Sequence, residues 1–142
     1  MDREELKRLL PHREPMLLLD EAELVAPGTA RGGYQVRGDE WFLQGHFPGN
    51  PVVPGVILCE IMAQASCVLV AGGTQDATPY LTGLERARFR QKVLPGDSIL
   101  IESTLAREKP PFYFVSAQAS VGGRVCANAE FSFMLARPEE PR

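Results

Sequence analysis

The chain has 142 residues, 44% of them apolar and 23% charged, with a formal net charge of −3. That balance belongs to one globular domain with a sizeable core and excludes a disordered polymer. A net acidic chain also lacks the basic surface that general nucleic-acid binding requires.

The opening Met1-Asp-Arg-Glu-Glu-Leu carries charge where a signal peptide needs an apolar run, which predicts a cytoplasmic protein. Asp2 to Leu10 reads as a short amphipathic helix, capped by Asp2 with Glu5 at the third helical position, and Pro11 ends it. Leu6, Leu9 and Leu10 share its apolar face. Met16 to Val25 and Arg31 to Arg37 read as strands joined by the turn signal Pro27-Gly28.

A long irregular stretch runs from Gly38 to Gly55, where Pro48, Pro51 and Pro54 forbid a regular helix or central strand. A loop of that length in a compact domain is usually functional. Val56 to Ala71 is apolar apart from Glu60, Gln64 and Ser66, which predicts a helix buried on most sides and stopped by Gly72-Gly73. It is too short and too interrupted for a membrane span of about 20 residues.

The remainder reads as strands: Tyr80 to Gln91, Ile99 to Lys109, Tyr113 to Val121 and Arg124 to Leu135. Val125, Ala127, Ala129, Phe131, Phe133 and Leu135 alternate on one face of the last. One buried helix followed by antiparallel strands predicts an α+β fold, a single domain over 1–142 with the sheet wrapped around the helix.

No phosphate-binding, dinucleotide-binding or nucleophile-elbow motif is present, and two histidines with three scattered cysteines make a poor metal site. Cys59, Cys67 and Cys126 fit buried reduced thiols. The expected chemistry is acid–base work without a cofactor. Gln44 to Gln64 carries its parts. His46 lies on a proline-rich loop and has the side chain best suited to a general base near neutrality. Glu60 lies among apolar helix residues, where burial disfavours the charged form and suits it to donate a proton. Free backbone N–H groups at Gly55 and Val56 can stabilise an oxyanion. Gln64, one turn beyond Glu60, either pairs with it structurally or holds a catalytic carboxyl in place. His12 is a competing catalytic candidate, but it has no buried carboxylate near it in sequence and reads as structural.

Gly45-His-Phe-Pro-Gly, Pro54-Gly-Val and Glu60-x-Met-Ala-Gln together strongly resemble the 3-hydroxyacyl-acyl-carrier-protein dehydratases of type II fatty acid synthesis. So do Leu10-Pro-His-Arg, Leu18-Leu-Asp, Ala87-Arg-Phe and Pro95-Gly-Asp, over about Leu9 to Leu135. The resemblance implies a hot-dog fold, with His46 and Glu60 as the catalytic pair and Gly55 on the thioester carbonyl. It implies homodimers whose shared sites take histidine and glutamate from different subunits, and dimers that commonly form hexamers. The candidate substrate contacts are Phe47, Gly55, Val56, Gln64 and Tyr80, and by resemblance Tyr80 gates an acyl tunnel; an ordinary strand-end aromatic is the alternative.

Ile61 and Val53 depart from the family's usual residues and leave acyl length open, while glutamate rather than aspartate at position 60 argues against isomerase activity. Simple alternation puts Arg86, Arg88, Arg90 and Lys92 on one strand face, with Ala87 and Phe89 on the other. That stripe is either a solvated face or a docking surface for acidic acyl carrier protein. A hot-dog thioesterase and a non-catalytic acyl-binding protein are the competing functional readings.

Overall fold

The computed structural model describes residues 1–71 and 77–137. Helix α1 spans Arg3–Leu9. Its cap is reciprocal: the Glu5 N–H donates to Asp2 Oδ1 at 2.9 Å, and the Asp2 N–H donates to Glu5 Oε1 at 3.2 Å. Leu6 and Leu10 sink into the core, with Leu9 at its margin.

The strands are β1 (Glu21–Ala26), β2 (Thr29–Gln35), β3 (Thr78–Phe89), β4 (Ser98–Lys109), β5 (Phe112–Val121) and β6 (Arg124–Ala136). The long helix α2, Gly55–Ala71, lies between β2 and β3 in the chain. All neighbouring strands pair antiparallel, in the order β1-β2-β4-β5-β6-β3. Each of the six packs against α2, so the sheet bends around the helix in the hot-dog arrangement. The reason lies in the helix. Ile57, Leu58, Ile61, Met62, Ala65, Cys67 and Val68 are all buried, and a helix apolar on nearly every side leaves no face for water.

From β6, Ala127, Ala129, Phe131, Phe133 and Leu135 are buried, in line with the alternation. Val125 is the exception: a register shift opposite Ala119 and Ser120 brings Cys126 inward and leaves Val125 half-buried. On β2, Gly32 lets the strand approach the helix closely. A Cβ there would lie 3.2 Å from the Ala65 Cβ and 3.3 Å from Leu19 Cδ2.

The first expected strand begins five residues too early: Met16 to Asp20 is not strand, and β1 starts at Glu21. The Met16 and Leu17 N–H groups turn back onto the Arg13 carbonyl. The Met16 carbonyl and Leu18 N–H are taken by the side chain of Gln64, so this segment needs no strand partner. Elsewhere the bounds move by a residue or two. β2 runs two residues earlier than expected, β3 includes Thr78 and Pro79 before Tyr80, and α2 begins at Gly55. The Gly72-Gly73 stop and most of the loop before Pro79 lie outside the described residues. Among the described residues no helix is long and apolar enough to cross a membrane.

Cys59, Cys67 and Cys126 are free and buried. Burial, helped by the charge of Glu60, pushes the Cys67 thiol up to about 12, far from reactive thiolate chemistry.

The close approach at Gly32 gives a direct test. Gly32→Ala should cost about 1–3 kcal/mol of stability by overpacking. Ala65→Gly alone should cost about 1 kcal/mol through helix propensity. Combined, the two should cost clearly less than their sum, as read from urea midpoints of the four proteins.

Candidate active site

Residues 36–54 cross from β2 to α2 as a loop whose polar groups are largely answered within it. The Glu40 carboxylate accepts the N–H groups of Arg37 at 2.8 Å and Gly38 at 2.7 Å, and the Tyr34 hydroxyl. A single 3-10 turn, Trp41–Leu43, drives Phe42 and Leu43 into the core. The His46 N–H then donates to the Leu43 carbonyl at 3.2 Å, and the Val52 N–H returns to the His46 carbonyl at 2.9 Å. Val53 N–H donates to the Val93 carbonyl, which ties the loop to the segment after β3.

His46 Nδ1 lies 2.9 Å from the Val52 carbonyl oxygen. A carbonyl only accepts, so Nδ1 carries the hydrogen and Nε2 is left with a bare lone pair. The imidazole is thereby set up to take a proton. Phe47 stacks on it with ring centroids 4.1 Å apart, and its outer face remains exposed.

Beside the histidine, α2 begins. The Pro54 carbonyl accepts from Ile57 and Leu58, while the N–H groups of Gly55 and Val56 have no backbone acceptor among the described residues. The Phe89 ring packs over Gly55; a Cβ at that position would meet its atoms at 3.0–3.2 Å. Glycine is required there for a steric reason. His46, Val52, Val53, Gly55, Leu58, Phe89 and Lys92 line one concavity of about 410 Å³.

Glu60 is not among its lining residues. Nor is it buried as the sequence suggests: its side chain keeps 29% exposure. Gln64 is fully buried and all its bonds are visible. Its Oε1 accepts from Leu18 N–H at 2.9 Å, and its Nε2 donates to Met16 O at 2.6 Å and Glu60 Oε2 at 2.8 Å. One amide thus anchors the N-terminal segment and fixes the carboxylate.

His12, read from sequence as structural for want of a buried carboxylate nearby, has its Nε2 4.0 Å from Glu60 Oε2. A contact across 48 residues leaves no local signal, although the Leu10-Pro-His-Arg motif marked the place.

Of the remaining candidates, Val56 and Tyr80 are strongly exposed, as are Leu81, Leu84 and Phe89 on β3. A bulge interrupts the simple alternation of the cationic stripe, although Arg86 and Arg90 still share the outer sheet face. Glu85 pairs with Glu130 and Arg88 with Asn128, so three steps on β3 oppose two on β6. Arg86 sits in this bulge with φ +52 and forms ion pairs with Glu130 at 3.1 Å and Glu85 at 3.6 Å. The strand ends at Phe89, and Arg90 donates to Asn128 Oδ1 at 3.1 Å. Arg86 and Arg90 border a polar concavity of about 580 Å³ on the outer sheet face. Arg90 and Lys92 border the one around His46.

A FabA-like domain model matches residues 10–130. The chain belongs to the FabA-like family. A protein of Enterococcus faecalis named 3-hydroxyacyl-[acyl-carrier-protein] dehydratase FabZ is 42% identical, over 92% of this chain and 95% of its own. The protein of the same name from Syntrophotalea carbinolica is 40% identical, over 93% of this chain and 92% of its own. Among solved structures, a chain of the dehydratase heterocomplex ApeI:P from Xenorhabdus doucetiae superposes with a TM-score of 0.83 at 23% identity. That likeness covers 95% of this chain and 93% of the other and shows the shared fold.

The buried amide predicts an asymmetry in stability. Gln64→Leu should cost at least about 2 kcal/mol, because it orphans the buried Leu18 N–H and removes the bonds to the Met16 carbonyl and Glu60 at once. Glu60→Gln should cost less than about 1 kcal/mol at its half-exposed position. Denaturant unfolding of the two variants separates these values.

Proposed function

We propose that this chain dehydrates (3R)-3-hydroxyacyl thioesters on acyl carrier protein to trans-2-enoyl thioesters. It is a hydro-lyase of fatty acid biosynthesis, as its membership and its near full-length FabZ relatives indicate. The observation that carries the residue assignment is the His46 tautomer: Nδ1–H held by Val52 O, with Nε2 open beside the unengaged N–H groups of Gly55 and Val56.

In this reading the thioester carbonyl accepts the Gly55 N–H, and one such donor is worth about 3 kcal/mol as enolate-like charge develops. His46 Nε2 removes the α-proton, and the C–H electron pair becomes the new double bond. The β C–O bond breaks with its pair on oxygen, which takes a proton from Glu60 and departs as water. His46 ends protonated and Glu60 ionised, and the reverse step hydrates the enoyl thioester.

Within one chain Glu60 does not line the His46 concavity, which supports a homodimer with Glu60 of the partner subunit completing each site. The free edge of β3 supports the same assembly. Its row of exposed Tyr80, Leu81, Leu84 and Phe89, continued by Val56 and Phe47, suits burial against a second copy. By resemblance, Tyr80 on that edge is the candidate gate for an acyl chain. Three free buried cysteines favour a cytoplasmic setting.

Purified protein should convert 3-hydroxyacyl carrier to the conjugated enoyl thioester, read by ultraviolet absorbance. Release of free carrier thiol would instead indicate a thioesterase, and no turnover an acyl-binding protein. His46→Ala and Glu60→Gln should each lower turnover at least about a hundredfold. Co-expressing the two inactive chains should restore part of the activity, because a mixed dimer holds one intact site.

For the carrier, Arg88 and Lys92 are the better candidates, since Arg86 is neutralised by Glu130. Arg88→Glu with Lys92→Glu should raise KM for carrier-bound substrate about tenfold at low salt and less at high salt. Arg86→Glu should have a smaller effect. Turnover of a small pantetheine thioester should scarcely change.

A further inference from the structure

His12 lies in the short segment between α1 and β1, and that segment is held at both ends. The Arg13 guanidinium donates to the carbonyls of Lys7 at 3.0 Å, Leu10 at 2.9 Å and His12 itself at 2.7 Å, clamping it to the end of α1. Beyond it, the Gln64 amide takes the Met16 carbonyl and the Leu18 N–H. Between these anchors the imidazole presents Nε2 toward Glu60 Oε2 at 4.0 Å, and its Nδ1 is buried without a partner. A buried ring nitrogen without a partner costs less as a bare lone pair than as an unpaired N–H. The hydrogen therefore belongs on Nε2, facing the carboxylate.

We propose that His12 is a positioning residue for Glu60, joining the Gln64 amide on Oε2 so that the transferable proton is confined to Oε1. This rests on the dehydratase reading above. Gln64 already donates to Oε2 at 2.8 Å, and an oxygen that accepts two N–H groups is a poor place for a hydroxyl hydrogen. Oε1, with no side-chain or backbone donor among the described residues, is the atom left to face the substrate hydroxyl. The 4.0 Å separation is too long for a hydrogen bond; a small rotation of the ring on substrate entry, or one bridging water, closes it. Burial holds His12 below the ordinary histidine range, outweighing the pull of Glu60, while Arg13 acts in the same direction as burial. An uncharged imidazole can orient the carboxyl without locking it as an ion pair.

The test separates the C–O cleavage that Glu60 serves from the α-proton removal that it does not. His12→Phe should lower kcat for dehydration about tenfold with KM within about twofold. Its exchange of α-hydrogen for deuterium on a saturated acyl-carrier thioester, which needs only His46 and Gly55, should stay near wild type. His12→Gln, whose amide N–H reaches the place of Nε2, should recover kcat to within about threefold. His12→Asn, which reaches only the place of Nδ1, should not. Equal loss of exchange and dehydration would assign His12 a merely structural role and overturn the proposal, as would unchanged dehydration in His12→Phe. Should the phenylalanine variant fail to fold, equal kcat in the Gln and Asn variants overturns it. A wild-type protein that never forms enoyl thioester would instead strike the dehydratase reading itself.

Discussion

A helix that is apolar almost all round must be covered on every side, and α2 is covered by one sheet that bends about it. Everything else in the chain answers to that requirement. Curvature is needed because a flat sheet covers only one side, and the irregularities on β1, β3, β4 and β6 are where it is absorbed. Gly32 is required because β2 passes within contact distance of Ala65. At the N-terminal end of α2 the cover is incomplete, although the Phe89 ring of β3 packs over Gly55. There Val56 is 75% exposed and the unengaged N–H groups of Gly55 and Val56 stand open. Burying the helix and leaving its start uncovered are two sides of one geometry, and the second provides the site.

The loop before α2 shows how binding energy is prepared in advance. Its backbone and side-chain bonds orient His46 before any substrate arrives, so little ordering remains to be done during the reaction. Glu40 takes two N–H groups and a hydroxyl at the loop's start, and Val53 fastens its end to Val93. The tautomer of His46 follows from a main-chain carbonyl rather than from a side-chain partner. A third catalytic residue to orient the base is therefore unnecessary.

Local pattern made the helix, the last strand and the loop legible, because each depends on neighbours in sequence. The run Ala127 to Leu135 points inward because a pleated strand has period two. What sequence hid depends on partners far along the chain. Met16 to Asp20 looks like a strand by composition, yet its hydrogen bonds go to the side chain of Gln64, which no period reveals. The bulge at Arg86 was hidden as well, because alternation assumes that no residue is inserted, and a positive φ gives no warning in a run rich in arginine. The exposure of Glu60 was misjudged for a related reason. Its helical neighbours are apolar, but those residues face the sheet while the glutamate faces the one side the sheet leaves open.

That open side links assembly to chemistry. In one chain the concavity around His46 has no acidic side chain in its lining, and Glu60, fixed by Gln64, lies outside it. Among the described residues the exposed apolar row on β3 lies at the sheet's edge, and in the proposed dimer the contact that hides this row would also bring the missing group into reach. Under that arrangement an isolated protomer can be fully folded and still be inactive. Activity then depends on protein concentration through the dimer equilibrium, while the core around α2 does not. Substitutions at Tyr80, Leu81 or Leu84 would therefore reach catalysis by weakening association, without touching a reacting atom. In the proposed dimer the roles would be separate: the loop and the helix start would set the base and the oxyanion donors, and the interface would deliver the acid.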